Sequence, residues 1–157
     1  MSATRTRRSI VKHVPRAVFD TNLYIAYLLS KNPQSPSREL FQLLKARKYG
    51  LQWCEPIRME VVEKAIAKGI PAKSVISFLA DLYLCAKEVD LSSVVIQRLV
   101  IDDPDDDFVL ACALESKAQY LVTYDPHLLN LGPVFRGIRI LDGLHFLYIL
   151  RGDKPPR

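Results

Sequence analysis

Asp103-Pro104-Asp105-Asp106-Asp107-Phe108-Val109-Leu110-Ala111-Cys112-Ala113-Leu114, followed after a short break by Gln119-Tyr120-Leu121-Val122-Thr123-Tyr124-Asp125, is the stretch from which the fold is read. Asp103 has the short acceptor side chain of a helix N-cap. Pro104 has the fixed φ of a first helical position, and acids in the first turn favour the helix dipole. The apolar residues that follow are nearly continuous, which predicts a buried helix. Residues 119–123 are an apolar run between polar flanks, which predicts a buried strand. A buried helix that delivers the chain to a buried strand belongs to a mainly parallel sheet covered on both faces.

One cap and one further acid would account for the helix start. Five of the six residues from 102 to 107 are aspartate, in a chain whose net charge is +5. Like charges this close repel and raise one another's pKa unless a cation intervenes. Two readings therefore stand side by side here: an over-supplied helix start, or one edge of a divalent-cation site.

Working outward, Ala17-Val18-Phe19-Asp20 predicts a first buried strand that runs into a turn at Thr21-Asn22 and a helix over 23–30. Asn32-Pro33-Gln34-Ser35-Pro36-Ser37 breaks the chain. Ser37 is expected to cap a second helix whose apolar side is Leu40, Phe41, Leu43 and Leu44. Leu51-Gln52-Trp53-Cys54 predicts a second strand, Pro56 opens a helix that stops at Gly69, and Pro71 opens another. Residues 88–101 are ambiguous: 88–91 reads as a strand, and 94–99 as a short helix or a further strand. A helical turn at 126–129, a strand at 138–141 and a helix at 142–150 complete an α/β pattern with right-handed crossovers.

At 157 residues, 49% apolar and 25% charged, the chain reads as one globular domain over 16–150. Residues 1–15 read as a basic flexible arm, its cations Arg5, Arg7, Arg8 and Lys12 clustering with Arg16, and 151–157 as a short tail. The arm is read equally as a phosphate contact or a solubilising extension. No stretch approaches the roughly 20 apolar residues that span a bilayer, and the Arg-rich start lacks the apolar core of a secretory signal, so a cytoplasmic location is expected. The odd, widely spaced Cys54, Cys85 and Cys112 read as reduced core residues rather than zinc ligands. His13, His127 and His145 share no ligand spacing and read as surface or partly packed residues. Tyr24, Tyr27, Tyr124 and Trp53 offer faces for stacking on unpaired bases, yet aromatics at such positions are more often core.

The strand pattern gives the acids a common address. Asp20 follows the first strand, Asp125 follows the strand over 119–123, and the aspartate run opens the helix before that strand. Ligands of open parallel sheets bind at the carboxyl ends of the strands. The surface left outside such a gathering is more basic than +5 suggests, which fits a polyanionic partner.

Three motifs in this order, Val18-Phe19-Asp20-Thr21-Asn22, then Asp103-Pro104-Asp105-Asp106-Asp107 with its buried helix, then Tyr120-Leu121-Val122-Thr123-Tyr124-Asp125 with Leu128-Leu129, resemble the PIN-domain nuclease family. The resemblance spans about residues 16–145 and is nearest to the branch of toxin components of toxin-antitoxin systems. It implies a three-layer α/β/α sandwich and a Mg²⁺- or Mn²⁺-dependent ribonuclease with four carboxylates. By motif position these are Asp20, Glu60, Asp106 and Asp125, with Glu55 and Glu63 as neighbours of the second and Asp107 as an auxiliary beside the third. Asn22 and Thr123 match polar positions that orient the acids or a phosphate. The implied partners are an RNA substrate, a small antitoxin protein and a second copy of the chain in a homodimer, with no membrane. Lys117 stands where the family often has glycine, Tyr124 where it commonly has a small residue, and Cys54 where it has a hydroxyl.

The chemistry suits these residues. Hydrolysing a phosphodiester needs hydroxide near neutral pH and charge stabilisation on the attacking and leaving oxygens, which hard cations supply. Mg²⁺ takes oxygen ligands and is usually held by only one or two carboxylates plus substrate phosphate. A second reading keeps the fold and drops the turnover, as a catalytically weak RNA-binding or scaffold protein. A third, an aspartyl-phosphate receiver or phosphatase, would want a second aspartate where Asn22 stands.

Overall fold

A computed structural model describes residues 13–100 and 103–153. Its strands are β1 (Arg16–Phe19), β2 (Gly50–Trp53), β3 (Lys87–Glu88), β4 (Tyr120–Val122), β5 (Val134–Phe135) and β6 (Ile138–Leu141). Its helices are α1 (Thr21–Leu29), α2 (Pro36–Lys45), α3 (Glu55–Ala67), α4 (Ala72–Cys85), α5 (Pro104–Glu115), α6 (Pro126–Leu129) and α7 (Gly143–Arg151). The strands form one sheet in the order β3-β2-β1-β4-β6-β5. All neighbours pair in parallel except β5, which runs antiparallel to β6. This is the α/β, mainly parallel architecture that the helix-to-strand rhythm predicts.

The central strand explains its own sequence. Ala17, Val18 and Phe19 are fully buried, because helices cover both faces and leave no polar side for alternation. Phe19 meets Phe41 of α2 at 5.6 Å and Phe146 of α7 at 6.1 Å between ring centroids. Tyr24 and Trp53 are buried in the same aromatic core, and the Tyr49 hydroxyl donates to the Leu40 carbonyl at 2.7 Å. Helix α5 packs across β1, β2 and β4. Its apolar run is therefore continuous for the reason expected, since Val109, Leu110, Cys112 and Ala113 are all buried.

Four helices end in the same backbone motif, in which one residue adopts a left-handed conformation and the next amide reaches back five residues. In α3 and α7 that residue is glycine, Gly69 (φ 70°) and Gly152 (φ 74°). In α2 and α5 it is Arg47 (φ 59°) and Lys117 (φ 53°), with the Lys48 amide bonded to Leu43 and the Ala118 amide to Ala113. The missing glycine at Lys117 has thus not changed the turn; the chain accepts a side chain where one costs about 1–2 kcal/mol. Arg136 (φ 49°) and Gly137 (φ 83°) form the two-residue, doubly left-handed turn between β5 and β6, where Asn-Gly is the common pair.

Several expectations are corrected. Ser35, not Ser37, caps α2, accepting from the Arg38 amide, because Pro36 takes the first helical position. Of 88–91 only the start pairs, as β3, and 94–99 is neither helix nor strand. The short edge strand β5 has no apolar period to announce it. Cys54 and Cys112 are buried but Cys85 is exposed. Pro15 extends the β1–β2 ladder, since its carbonyl accepts from the Gly50 amide at 2.8 Å. Arg5, Arg7, Arg8 and Lys12 of the basic arm, Asp102, and residues 154–157 of the tail lie outside the described residues.

Candidate metal centre

Parallel strands β1 and β4 are direct neighbours, so the residues that follow them, Asp20 and Asp125, leave the sheet side by side. Asp20 is 3% exposed, and its backbone amide is still held by Val122 of β4 at 3.0 Å. Thr123 joins the two acids. Its hydroxyl donates to Asp20 Oδ2 at 2.9 Å and accepts from the Asp125 amide at 2.9 Å. Thr21 adds a second hydroxyl bond to Asp20, at Oδ1, at 3.2 Å. Asp125 then caps α6 through the His127 amide at 2.9 Å.

Helix α5 brings in the third acid from below. Asp103 caps it through the Asp105 amide at 3.2 Å, with Pro104 next, as expected. The first turn presents Asp106, 3% exposed, to the other acids, and its Oδ2 is buried without a hydrogen-bond partner. Donor atoms of Asp103, Asp106, Asp125 and His127 all lie within 4.8 Å of one another. Two of the aspartates expected from the motifs, Asp106 and Asp125, fall in this group with two residues not expected there, while Asp20 stands outside it and is tied to Asp125 through Thr123. Asp103 had read as a cap alone and His127 as a surface residue. His127 is indeed exposed, but its Nδ1 sits 3.5 Å from Asp125 Oδ1.

Glu60 lies in the middle of α3 and is not one of these four residues. Burial pushes its carboxyl up, opposed by the bond to Lys64 and aided by the charges of Asp105 and Asp20. Lys64 donates to Glu60 at 2.9 Å, Thr21 Oγ1 at 3.1 Å and Asn22 Oδ1 at 3.3 Å. Sequence reading missed this lysine, although its spacing of four from Glu60 is a recognisable helical pair. Glu55 and Glu63 are exposed. A recess of about 290 Å³ between α3 and α5 is lined by Pro56, Met59, Glu60, Glu63, Asp105 and Phe108.

Asp107 takes a different job from the auxiliary one expected. Its Oδ1 accepts from the amides of Leu99 at 2.9 Å and Val100 at 2.8 Å, so it fastens the irregular segment after β3 onto α5. Tyr124 is half-exposed and fits because Gly143 lacks a side chain: a Cβ there would come within 2.7 Å of the Tyr124 hydroxyl.

The electrostatics are those of a site under repulsion. Burial, then contact with Asp125 and the charges of Asp20, Asp125 and Asp103, push the Asp106 carboxyl up to about 9. Burial also raises Asp20, against the lowering effect of the Thr123 bond and Lys64. Burial disfavours the Lys64 ammonium, yet Glu60, Asp20 and Asp103 outweigh it and raise its pKa. Carboxyls raised by burial and by one another mark a place where added positive charge is favourable. The donor set is rich in hard oxygens, which suits Mg²⁺ or Mn²⁺ better than soft metals, and the unpartnered Asp106 Oδ2 is available as a ligand oxygen.

A mainly parallel sheet with carboxylates gathered at the ends of two adjacent strands defines an α/β protein with a candidate metal centre. A family model for the PIN domain matches residues 16–127, and the chain belongs to that family. PIN domains are generally nucleases. None of the curated proteins compared with the chain matches it. Among the described residues no helix is long and apolar enough to cross a membrane.

Proposed function

We propose that the protein is an endoribonuclease that hydrolyses RNA phosphodiester bonds at a Mg²⁺ or Mn²⁺ centre. Asp20, Asp106 and Asp125 hold the ion, and Glu60 either joins them or orients the attacking water. A bound ion supplies hydroxide near neutral pH and offsets charge on the attacking and leaving oxygens. The residues do the rest. Thr123 fixes the spacing of Asp20 and Asp125 with one hydroxyl, donating to the first and accepting from the backbone of the second. Lys64 and Asn22 form a polar rim beside Glu60, placed to meet a phosphate. The reading is carried by one observation: a buried carboxyl oxygen on Asp106 with no partner, facing other acids.

The same reading includes a role as the toxin of a toxin-antitoxin pair, in a cytoplasmic setting, with a small antitoxin closing the acidic cleft and a second copy of the chain as a homodimer partner. A rival is favoured by Lys64, which already neutralises Glu60 and could leave the site able to bind RNA without cutting it.

The test is calorimetric titration of Mn²⁺ into wild type, Asp20→Asn and Asp106→Asn, beside a cleavage assay on single-stranded RNA. Wild type should bind the ion and cut, and each variant should lose both while keeping its fold by circular dichroism. Metal binding without cleavage of any RNA or DNA moves the protein to the binding or scaffold reading. An absence of metal binding removes the enzyme reading altogether.

A further inference from the structure

At the other end of the sheet, the amino ends of the strands carry a row of cations. β1 opens with Arg16; Arg47 stands in the turn entering β2, Lys117 in the turn entering β4, and Arg136 in the turn entering β6. These four strands are consecutive in the sheet, in the order β2-β1-β4-β6, and all four side chains belong to exposed residues. With neighbouring strands about 4.8 Å apart, the row is about 14 Å long with one positive charge per strand. That spacing is of the same order as the charge spacing along a nucleic-acid strand. Lys48 and Arg139 add exposed positive charge to the same end, against Glu115 two residues before Lys117.

The backbone makes this more than scattered surface lysine. Among the described residues, the non-glycine residues in the left-handed region are Arg47, Lys117 and Arg136, and every one is basic and leads into a strand of this row. Glycine fills the equivalent turn after α3 and after α7, so this chain can use it there. At the three entries it instead holds a cation at a conformation that side chains disfavour. The row is also partly pre-ordered: the Arg16 guanidinium donates to the Lys117 carbonyl and the Arg136 guanidinium to Gln97, both at 3.0 Å. A recess of about 250 Å³ opens between Lys117, Gln119, Arg136 and Gly137, floored by Leu114 and Ile138.

We infer that the amino-terminal edge of the sheet is an RNA-backbone docking surface, distinct from the acidic centre and on the opposite end of the molecule. It takes phosphates through Arg16, Arg47, Lys117 and Arg136. A strand of four residues is only about 13 Å long, so one RNA can engage both ends. The row is extended and carries one exposed cation per strand, with no exposed aromatic among its four residues, which matches a phosphate backbone better than the buried aromatic anchors of a protein interface. The inference rests on the RNA reading of the acidic site, and it deepens that reading by saying where the substrate is gripped.

The experiment measures binding of a short, labelled single-stranded RNA by fluorescence anisotropy in EDTA, where the acidic end carries no ion to attract phosphate. The variant is Arg47→Gly/Lys117→Gly/Arg136→Gly, which suits the backbone at each position and should keep or raise the melting temperature. The control, Lys31→Ala/Lys68→Ala/Lys73→Ala, removes equal charge at exposed residues that do not enter a strand of the row. Wild-type affinity should fall steeply between about 50 and 200 mM salt, and the glycine variant should weaken binding about tenfold and flatten the log–log salt slope by about 2, at about 0.7 per lost contact. Unchanged affinity and slope in the glycine variant, or an equal loss in the control, overturns the docking surface while leaving the nuclease reading intact. A wild type that binds no nucleic acid in EDTA or with Mn²⁺ overturns both. Binding of polyglutamate through these residues without binding of RNA assigns the row to a protein partner and overturns it as well.

Discussion

The two ends of one short sheet are charged in opposite ways and by opposite means. At the carboxyl ends, Asp20 and Asp106 are buried, and Thr123 and the first turn of α5 hold their neighbours at fixed distances. At the amino ends, Arg16, Arg47, Lys117 and Arg136 are exposed; Arg16 opens β1, and the other three are set by turn geometry rather than by side-chain contacts converging on a centre. A buried like-charge group is unfavourable by several kcal/mol unless paired, so its presence is informative through electrostatics alone. Exposed cations are nearly neutral in energy; there the informative quantity is the backbone conformation they occupy.

The sharpest way to separate the ends is to remove charge at the buried one. Asp106→Asn should reduce Mn²⁺-dependent RNA cleavage by on the order of 10²–10³, the scale seen when a preorganised charge-stabilising group is removed. Cleavage within about threefold of wild type would show that the carboxylate is not needed for the chemistry, and the contrast between a working end and a gripping end would collapse.

The same substitution has a second, opposite effect on stability. The folded Asp106 pKa is raised to about 9, against about 3.9 for an unfolded aspartate. Its contribution to stability is therefore present in full below about pH 4 and is lost as pH rises toward 9; Asp20 and Glu60, both raised, act in the same direction. In EDTA, Asp106→Asn should be more stable than wild type by about 1–3 kcal/mol, or roughly 2–4 °C in Tm per kcal/mol at this chain length. The gap should widen between about pH 5 and 9 and close when Mn²⁺ is added to wild type. A variant that melts below wild type across that range would assign Asp106 a structural role at the head of α5.

Asp103 stands on the border between the two kinds of explanation, and two substitutions divide them. Asp103→Asn keeps the cap, so stability should move by less than about 0.5 kcal/mol while Mn²⁺ affinity falls about tenfold. Asp103→Ala should add a loss of about 1 kcal/mol for the cap on α5. Equal Mn²⁺ affinity in wild type and Asp103→Asn would leave Asp103 a cap and nothing more.

What could be read beforehand follows the same division. β1, β4 and α5 were legible because burial on both faces writes an unbroken apolar run, and Asp20 and Asp125 were legible because they end such runs. Glu60 was placed by motif position, and the structure adds its link to Lys64. His127 could not be found by spacing, because it reaches the acids only once Asp125 turns the chain into α6. Asp107 looked like a twin of Asp106, but the neighbouring position on a helix points about 100° away, and its carboxylate meets backbone amides instead. The segment over 94–99 carries no helical or strand period, and its end is held by that aspartate through the amides of Leu99 and Val100 rather than by a ladder or a helix. β5 was hidden because two residues carry no periodicity and its turn uses Arg136 where Asn would have signalled a hairpin.

The smallest expected effect tests the exposed end without any ligand. Lys117→Gly removes a side chain from a left-handed turn, a gain of about 1–2 kcal/mol, and adds back freedom in the unfolded chain, a loss of about 0.5–1 kcal/mol. The net should be a gain of up to about 1.5 kcal/mol, read as a higher denaturation midpoint at unchanged m-value. Gly69→Lys, which puts a cation into the matching turn after α3, should lose a similar amount. If Lys117→Gly instead destabilises, then the lysine contributes a fold contact of its own, and its left-handed conformation no longer argues for a charge kept at the amino end for another purpose.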